Sequence, residues 1–201
     1  PSWLHQRAWG IDEVLKQHKT GLKQLRGKVD VLAGGPPCQG FSFAGRRVED
    51  DPRNLLFSMY VEVVDAVQPA ALILENVPGM QVAHRRGEVV DVSVCRQPRG
   101  PSFYEKLAAS LDLAGYEVKA ALVDASRFGV PQKRSRLIAI GIRKDLSQWL
   151  EDGIPRVFEL LEEARLRQLR DFGLGEVVSA ADAIADLEIS DRPLIHCTDP
   201  Q

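Results

Sequence analysis

Cysteine is scarce in this chain: Cys38, Cys95 and Cys197 are the three among 201 residues. An odd, widely spaced set provides neither a disulfide framework nor a Cys-x-x-Cys metal site, so reduced thiols and no metal are expected. Long apolar runs are missing as well. No stretch approaches the roughly 20 residues that a bilayer span needs, and Pro1-Ser2-Trp3-Leu4 lacks the charged-then-apolar order of a secretory leader. The expectation is a soluble, cytoplasmic protein with no membrane partner. Nor is there an excess of positive charge, because 26 Lys and Arg stand against 28 Asp and Glu. Composition alone therefore counts against a nucleic-acid partner, whose binding domains usually carry a basic face. Internal repeats and low-complexity segments are absent too. What is present is 44% hydrophobic, enough for one sizeable core, either one domain or part of a larger one.

Helical and extended patterns alternate along the sequence. Ile11, Val14, Leu15, Leu22 and Leu25 recur at helical spacing with lysines between them, predicting an amphipathic helix over 11–25. A strand is expected at 29–33. Residues 34–53 hold glycines, prolines and a charged tail with little periodicity, and read as a long loop of the kind that is usually functional or disordered. Residues 54–67 are apolar at helical spacing and end before Pro69, and Ala71-Leu72-Ile73-Leu74 is a short, wholly apolar strand that Pro78 and Gly79 break. Residues 80–100 are basic and irregular, an exposed insertion. Ser102, with Glu105 three residues on, caps a helix through Ala114 that Gly115 stops. Strands at 117–123 and 137–142 flank Phe128-Gly129-Val130-Pro131 closely enough to pair antiparallel. Beyond Arg143 the pattern turns helical, most clearly over 157–169. The alternation predicts an α/β sheet with an antiparallel strand pair near its C-terminal end.

Three constellations lie where these elements end. Gly34-Gly35-Pro36-Pro37-Cys38-Gln39-Gly40-Phe41-Ser42 follows the first strand, and open α/β sheets gather ligands at the carboxyl ends of their strands. Glycine permits close backbone approach and proline fixes its φ, so Gly-Gly-Pro-Pro is a tight, stiff exit that holds the Cys38 thiol in a defined place. The plainer alternative is a small buried hydrophobe, as most free cysteines are. Glu75-Asn76-Val77-Pro78-Gly79 follows the next strand. A partly desolvated carboxyl at that rim keeps a proton to donate, which suits general acid work; a helix cap or a turn-forming Glu-Asn pair is the alternative. In Pro131-Gln132-Lys133-Arg134-Ser135-Arg136, extended chain puts Arg134 and Arg136 on one face, where two guanidiniums can grip a carbonyl oxygen or phosphates. Basic residues of this kind also simply protect sheet edges.

Taken in order with Asp51-Pro52-Arg53-Asn54-Leu55-Leu56, these stretches resemble the catalytic half of the cytosine-5 DNA methyltransferases over about residues 29–143. Glu176-Val177-Val178-Ser179-Ala180-Ala181-Asp182-Ala183-Ile184-Ala185-Asp186-Leu187 is similar, more weakly, to the segment with which that family enters its target-recognition region. The resemblance implies a Rossmann-like class I methyltransferase sheet, incomplete at its N-terminus, with S-adenosylmethionine as cofactor and double-stranded DNA as partner. It implies that Cys38 attacks C6 of a flipped-out cytosine, that Glu75 contacts N3 and the exocyclic amine, and that Arg134 or Arg136 holds O2. Pro37 and Leu56 match cofactor-lining positions, Gln39, Ser42, Arg46 and Arg47 match positions for contacts to DNA, and Asn76 orients the cysteine loop. On this reading residues 1–145 are a partial catalytic domain, and 146–201 a helical segment leading into target recognition.

The departures from the family pattern are also specific. Its opening strand with a Gly-rich turn, the acidic residue after its second strand, its late Asn-bearing motif and its final helix have no counterpart in this sequence. The insertion at 81–101 is longer than typical, and its Arg85, Arg86, Arg96 and Arg99 face phosphates or solvent. The expectation is a catalytic-region piece of a larger enzyme, or one chain of a split enzyme completed by a second polypeptide, that binds cofactor poorly alone. The small net charge fits, because the recognition region would carry much of the DNA-facing surface. Two rivals are a tRNA cytosine-5 methyltransferase and a non-catalytic homologue. The tRNA branch usually has Pro-Pro-Cys-Gln-Pro-Phe-Thr where this chain has Gly40 and Ser42, and intact Cys38, Glu75, Arg134 and Arg136 speak against lost chemistry.

Overall fold

The computed structural model describes residues 2–36, 55–81 and 101–185. Helices α1 (Ile11–Gln17) and α2 (Lys19–Gln24) stand where one helix was expected. The chain leaves helical angles at His18 (φ −119°, ψ 21°), whose ring lies 5.3 Å from that of Trp3 and 4.8 Å from that of Trp9. These aromatic contacts are invisible to the aliphatic periodicity that predicted a continuous helix. Next come β1 (Val31–Gly34), α3 (Leu55–Val67), β2 (Ala71–Asn76), α4 (Phe103–Leu113), β3 (Tyr116–Asp124), β4 (Ser135–Arg143), α5 (Lys144–Ser147), α6 (Pro155–Asp171) and α7 (Ala180–Ile184). The start of α4 is the expected capping box: Ser102 Oγ accepts from the Glu105 amide at 3.2 Å while the Glu105 carboxylate accepts from the Ser102 amide. Gly115, at φ +94°, turns the chain out of the helix.

The four strands form one sheet in the order β1-β2-β4-β3. β1 runs parallel to β2, from Val31 opposite Ala71 to Gly34 opposite Leu74. β4 runs against β2, from Ala71 opposite Ile142 to Asn76 opposite Leu137. At the two ends of the β3–β4 pair the Ala125 amide donates to the Arg134 carbonyl (3.0 Å) and the Lys144 amide to the Gly115 carbonyl (2.8 Å), which requires the expected antiparallel pairing. The result is the α/β sheet with an antiparallel pair read from the sequence. β4 lies inside the sheet, so protection of an edge does not explain the arginine at its start.

Alternation along β2 decides which face is packed. Leu72, Leu74 and Asn76 are buried, and Leu72 and Leu74 cluster with Leu137 and Ala139 of β4, Phe57, Tyr60 and Val64 of α3, Leu107 and Leu111 of α4, and Met80 and Tyr116. Full burial of each such leucine contributes about 1.5–3 kcal/mol. On the opposite face Val31 remains 51% exposed and Ile73 39%. Residues 1–123 with 135–162 make one compact unit, which contains this core. Residues 124–134 with 163–201 make a second, in which Arg165 of α6 donates to the Arg127 carbonyl at 3.1 Å. No described helix is long and apolar enough to cross a membrane.

Candidate active site

β2 runs two residues beyond its apolar run, so Glu75 and Asn76 still belong to the ladder, opposite Ile138 and Leu137, instead of following the strand. Successive residues of a strand face opposite sides. Asn76 therefore enters the packed side and Glu75 the open one. On β4, Arg136 precedes Ile138 by two positions and so shares the face of Glu75 as its diagonal neighbour, a separation that long side chains bridge. Arg136 Nε lies 2.7 Å from Glu75 Oε1, with side-chain exposures of 23% and 48%. Arg136 Nη1 also donates to the Ser135 carbonyl at 2.8 Å. The partly desolvated carboxyl expected at this rim is half-exposed, with the Arg136 guanidinium against it.

The chain leaving β1 is tied down by Asn76 and passes beside Glu75. Asn76, 2% exposed, donates through Nδ2 to the Pro36 carbonyl at 3.1 Å and accepts from the Val77 amide at 2.9 Å. It ties the end of β2 to a residue two positions before Cys38. On the other side a Cβ at Gly35 would stand 3.4 Å from Glu75 Oε2 and 3.5 Å from the Glu75 carbonyl oxygen. Those are ordinary van der Waals distances, so the backbone at Gly35 runs directly beside the Glu75 carboxylate.

Arg134 belongs to the second compact unit. Its side chain is exposed, and its amide donates to Asp124 Oδ1 at 3.3 Å. The same carboxylate oxygen accepts from the Ser126 amide (3.1 Å) and hydroxyl (2.9 Å), so Asp124 organises the turn that delivers the chain to β4. Sequence reasoning missed Asp124, although Asp-x-Ser after a strand is an Asx-turn signal. Leu56, in the first turn of α3, is half-buried. Cys38, Pro37, Gln39, Ser42, Arg46 and Arg47 lie outside the described residues.

The family model described as C-5 cytosine-specific DNA methylase matches residues 7–191. The Type II methyltransferase M1.HphI of Haemophilus parahaemolyticus is 42% identical over 121 residues, 59% of this chain and 28% of that protein. M.BspRI of Lysinibacillus sphaericus, also a Type II methyltransferase, is 30% identical over 178 residues, covering 88% of this chain and 36% of its own length. The DNA (cytosine-5-)-methyltransferase M.ApeKI of Aeropyrum pernix is 36% identical over 148 residues, 67% of this chain and 31% of that protein. The matched region is therefore about a third of each relative.

Proposed function

The chain belongs to the C-5 cytosine-specific DNA methylase family, and from that premise we propose that it carries the catalytic half of an enzyme that methylates C5 of cytosine in double-stranded DNA. C5 is a poor nucleophile until an electron-rich group adds across the C5–C6 bond, and the Cys38 thiolate makes that addition at C6. Glu75 engages N3 and the exocyclic amine of the base, and Arg136, already beside it, holds the O2 carbonyl; Arg134 is the second candidate for that contact. The family's methyl donor, S-adenosylmethionine, supplies the methyl group when bound, with Pro37 and Leu56 against it. A base, for which water is the candidate, then takes the C5 proton, and the C–H electron pair restores the C5–C6 double bond as the Cys38 thiolate leaves. The target atoms are out of reach inside a duplex, so the cytosine is flipped out, with Gln39, Ser42, Arg46 and Arg47 contacting the DNA. Residues 146–201 lead toward target recognition, and, because the chain spans about a third of the relatives it matches, a complementary polypeptide is the proposed source of the remaining cofactor and recognition surfaces.

The observation that carries this reading is the Glu75–Arg136 pair at 2.7 Å on the strand ends, with Asn76 tied to the segment that leads to Cys38. A duplex containing 5-fluorocytosine tests it, because fluorine at C5 cannot leave as a proton and the thiol adduct persists. Incubated with cofactor, the intact enzyme is expected to form a covalent complex that Cys38→Ala abolishes. Turnover untouched by that substitution rejects Cys38 as nucleophile, and methyl incorporation into tRNA but not DNA reassigns the substrate.

A further inference from the structure

We propose that Tyr60 is a positioning residue for the cysteine segment: its ring, pressed against the backbone of Gly34, fixes where the chain leaves β1 on its way to Cys38. The inference rests on Cys38 being the nucleophile. A Cβ built on Gly34 would stand 2.7 Å from Tyr60 Cε2 and 3.2 Å from Cδ2. Real side chains do not approach so closely, so one of the two groups would have to move.

The ring has little room to yield. Tyr60 is 5% exposed and belongs to the cluster with Phe57, Val64, Leu74 and Tyr116, and close-packed interiors pass strain to their neighbours. The backbone of residues 34–36 takes up the displacement instead, two residues from the point where Asn76 holds the Pro36 carbonyl. The Tyr60 hydroxyl has no hydrogen-bond partner among the described residues. Burial, and the nearby Tyr116, push its pKa up to about 12, so it stays neutral. The Cδ2–Cε2 edge of the ring, not the oxygen, therefore does the positioning.

The test compares Gly34→Ala, Tyr60→Leu, the two combined, and Tyr60→Phe in the intact enzyme. Two rates are read: covalent capture of 5-fluorocytosine DNA, and iodoacetamide alkylation of Cys38 relative to Cys95 by peptide mass mapping. Gly34→Ala is expected to slow capture about tenfold or more, since displacements of about 1 Å cost up to 100-fold. DNA affinity is kept, and alkylation changes at Cys38 but not at Cys95. Adding Tyr60→Leu removes the closest ring atom and recovers much of the loss, while Tyr60→Phe behaves as the wild type. Wild-type capture and Cys38 alkylation in Gly34→Ala overturn the inference, as do independent, additive effects in the combined variant. If Gly34→Ala does not fold, Tyr60→Leu decides: slower capture than Tyr60→Phe supports the role, and equal rates overturn it. If the wild type forms no adduct, the nucleophile assignment fails, and the Cys38 alkylation rates alone then decide whether Tyr60 sets the segment's position.

Discussion

Arg136 and Asn76 stand one strand apart, and their substitution should have opposite consequences. The Glu75–Arg136 pair is partly in water, where such pairs contribute about 0.2–1 kcal/mol to stability. Arg136→Ala should therefore leave the melting temperature nearly unchanged while kcat falls about 100-fold through loss of the contact to the base carbonyl; calorimetry beside a methyl-incorporation assay separates the two effects. Asn76→Ala removes a buried amide that serves the Pro36 carbonyl and the Val77 amide. Leaving those groups without partners costs about 1–3 kcal/mol, read as a lower midpoint in urea unfolding. Glu75, Asn76 and Arg136 were legible as residues gathered at strand ends. Their pairing was not, since it depends on which strand lies beside β2 and in what register.

Single elements show where local sequence suffices. Ser102 and Glu105 bond each other reciprocally, three positions apart, and the capping box they form was readable without any tertiary information. Bonds from the Ser102 amide and hydroxyl hold the Glu105 carboxyl below its ordinary value of 4.5. Its folded pKa lies below the unfolded one, so the cap's contribution is complete above the unfolded value and disappears as pH falls through the folded value. Urea unfolding across a pH series should therefore show an acid-side loss that Glu105→Gln flattens. Ser102→Ala should cost about 1 kcal/mol at neutral pH. The split of residues 11–25 into α1 and α2 shows the reverse case. At the break the His18 ring lies against Trp3 and Trp9, residues outside the window that periodicity examines.

Across the whole molecule, strand existence was readable and strand order was not. The run Ala71-Leu72-Ile73-Leu74 is apolar at every position, so it carries no alternation to show that Leu72 and Leu74 are packed while Ile73 is 39% exposed. The same contrast between packed and open positions predicts a gradient of local stability. Amides at Leu72, Leu74 and Ala139, all fully buried, should exchange with deuterium far more slowly than that of Val177, whose side chain is 61% exposed, and mass-resolved exchange checks the ordering.

The opposed directions of β2 and β4 have one more effect. A residue departing from one strand meets a residue arriving on the other, and the ladder between them sets their spacing whatever the intervening chain does. Peptide added between residues 81 and 101, or after 144, lengthens the perimeter and leaves the carboxylate and guanidinium where they were. Changes in the length of those connections are thereby uncoupled from the geometry of the pair.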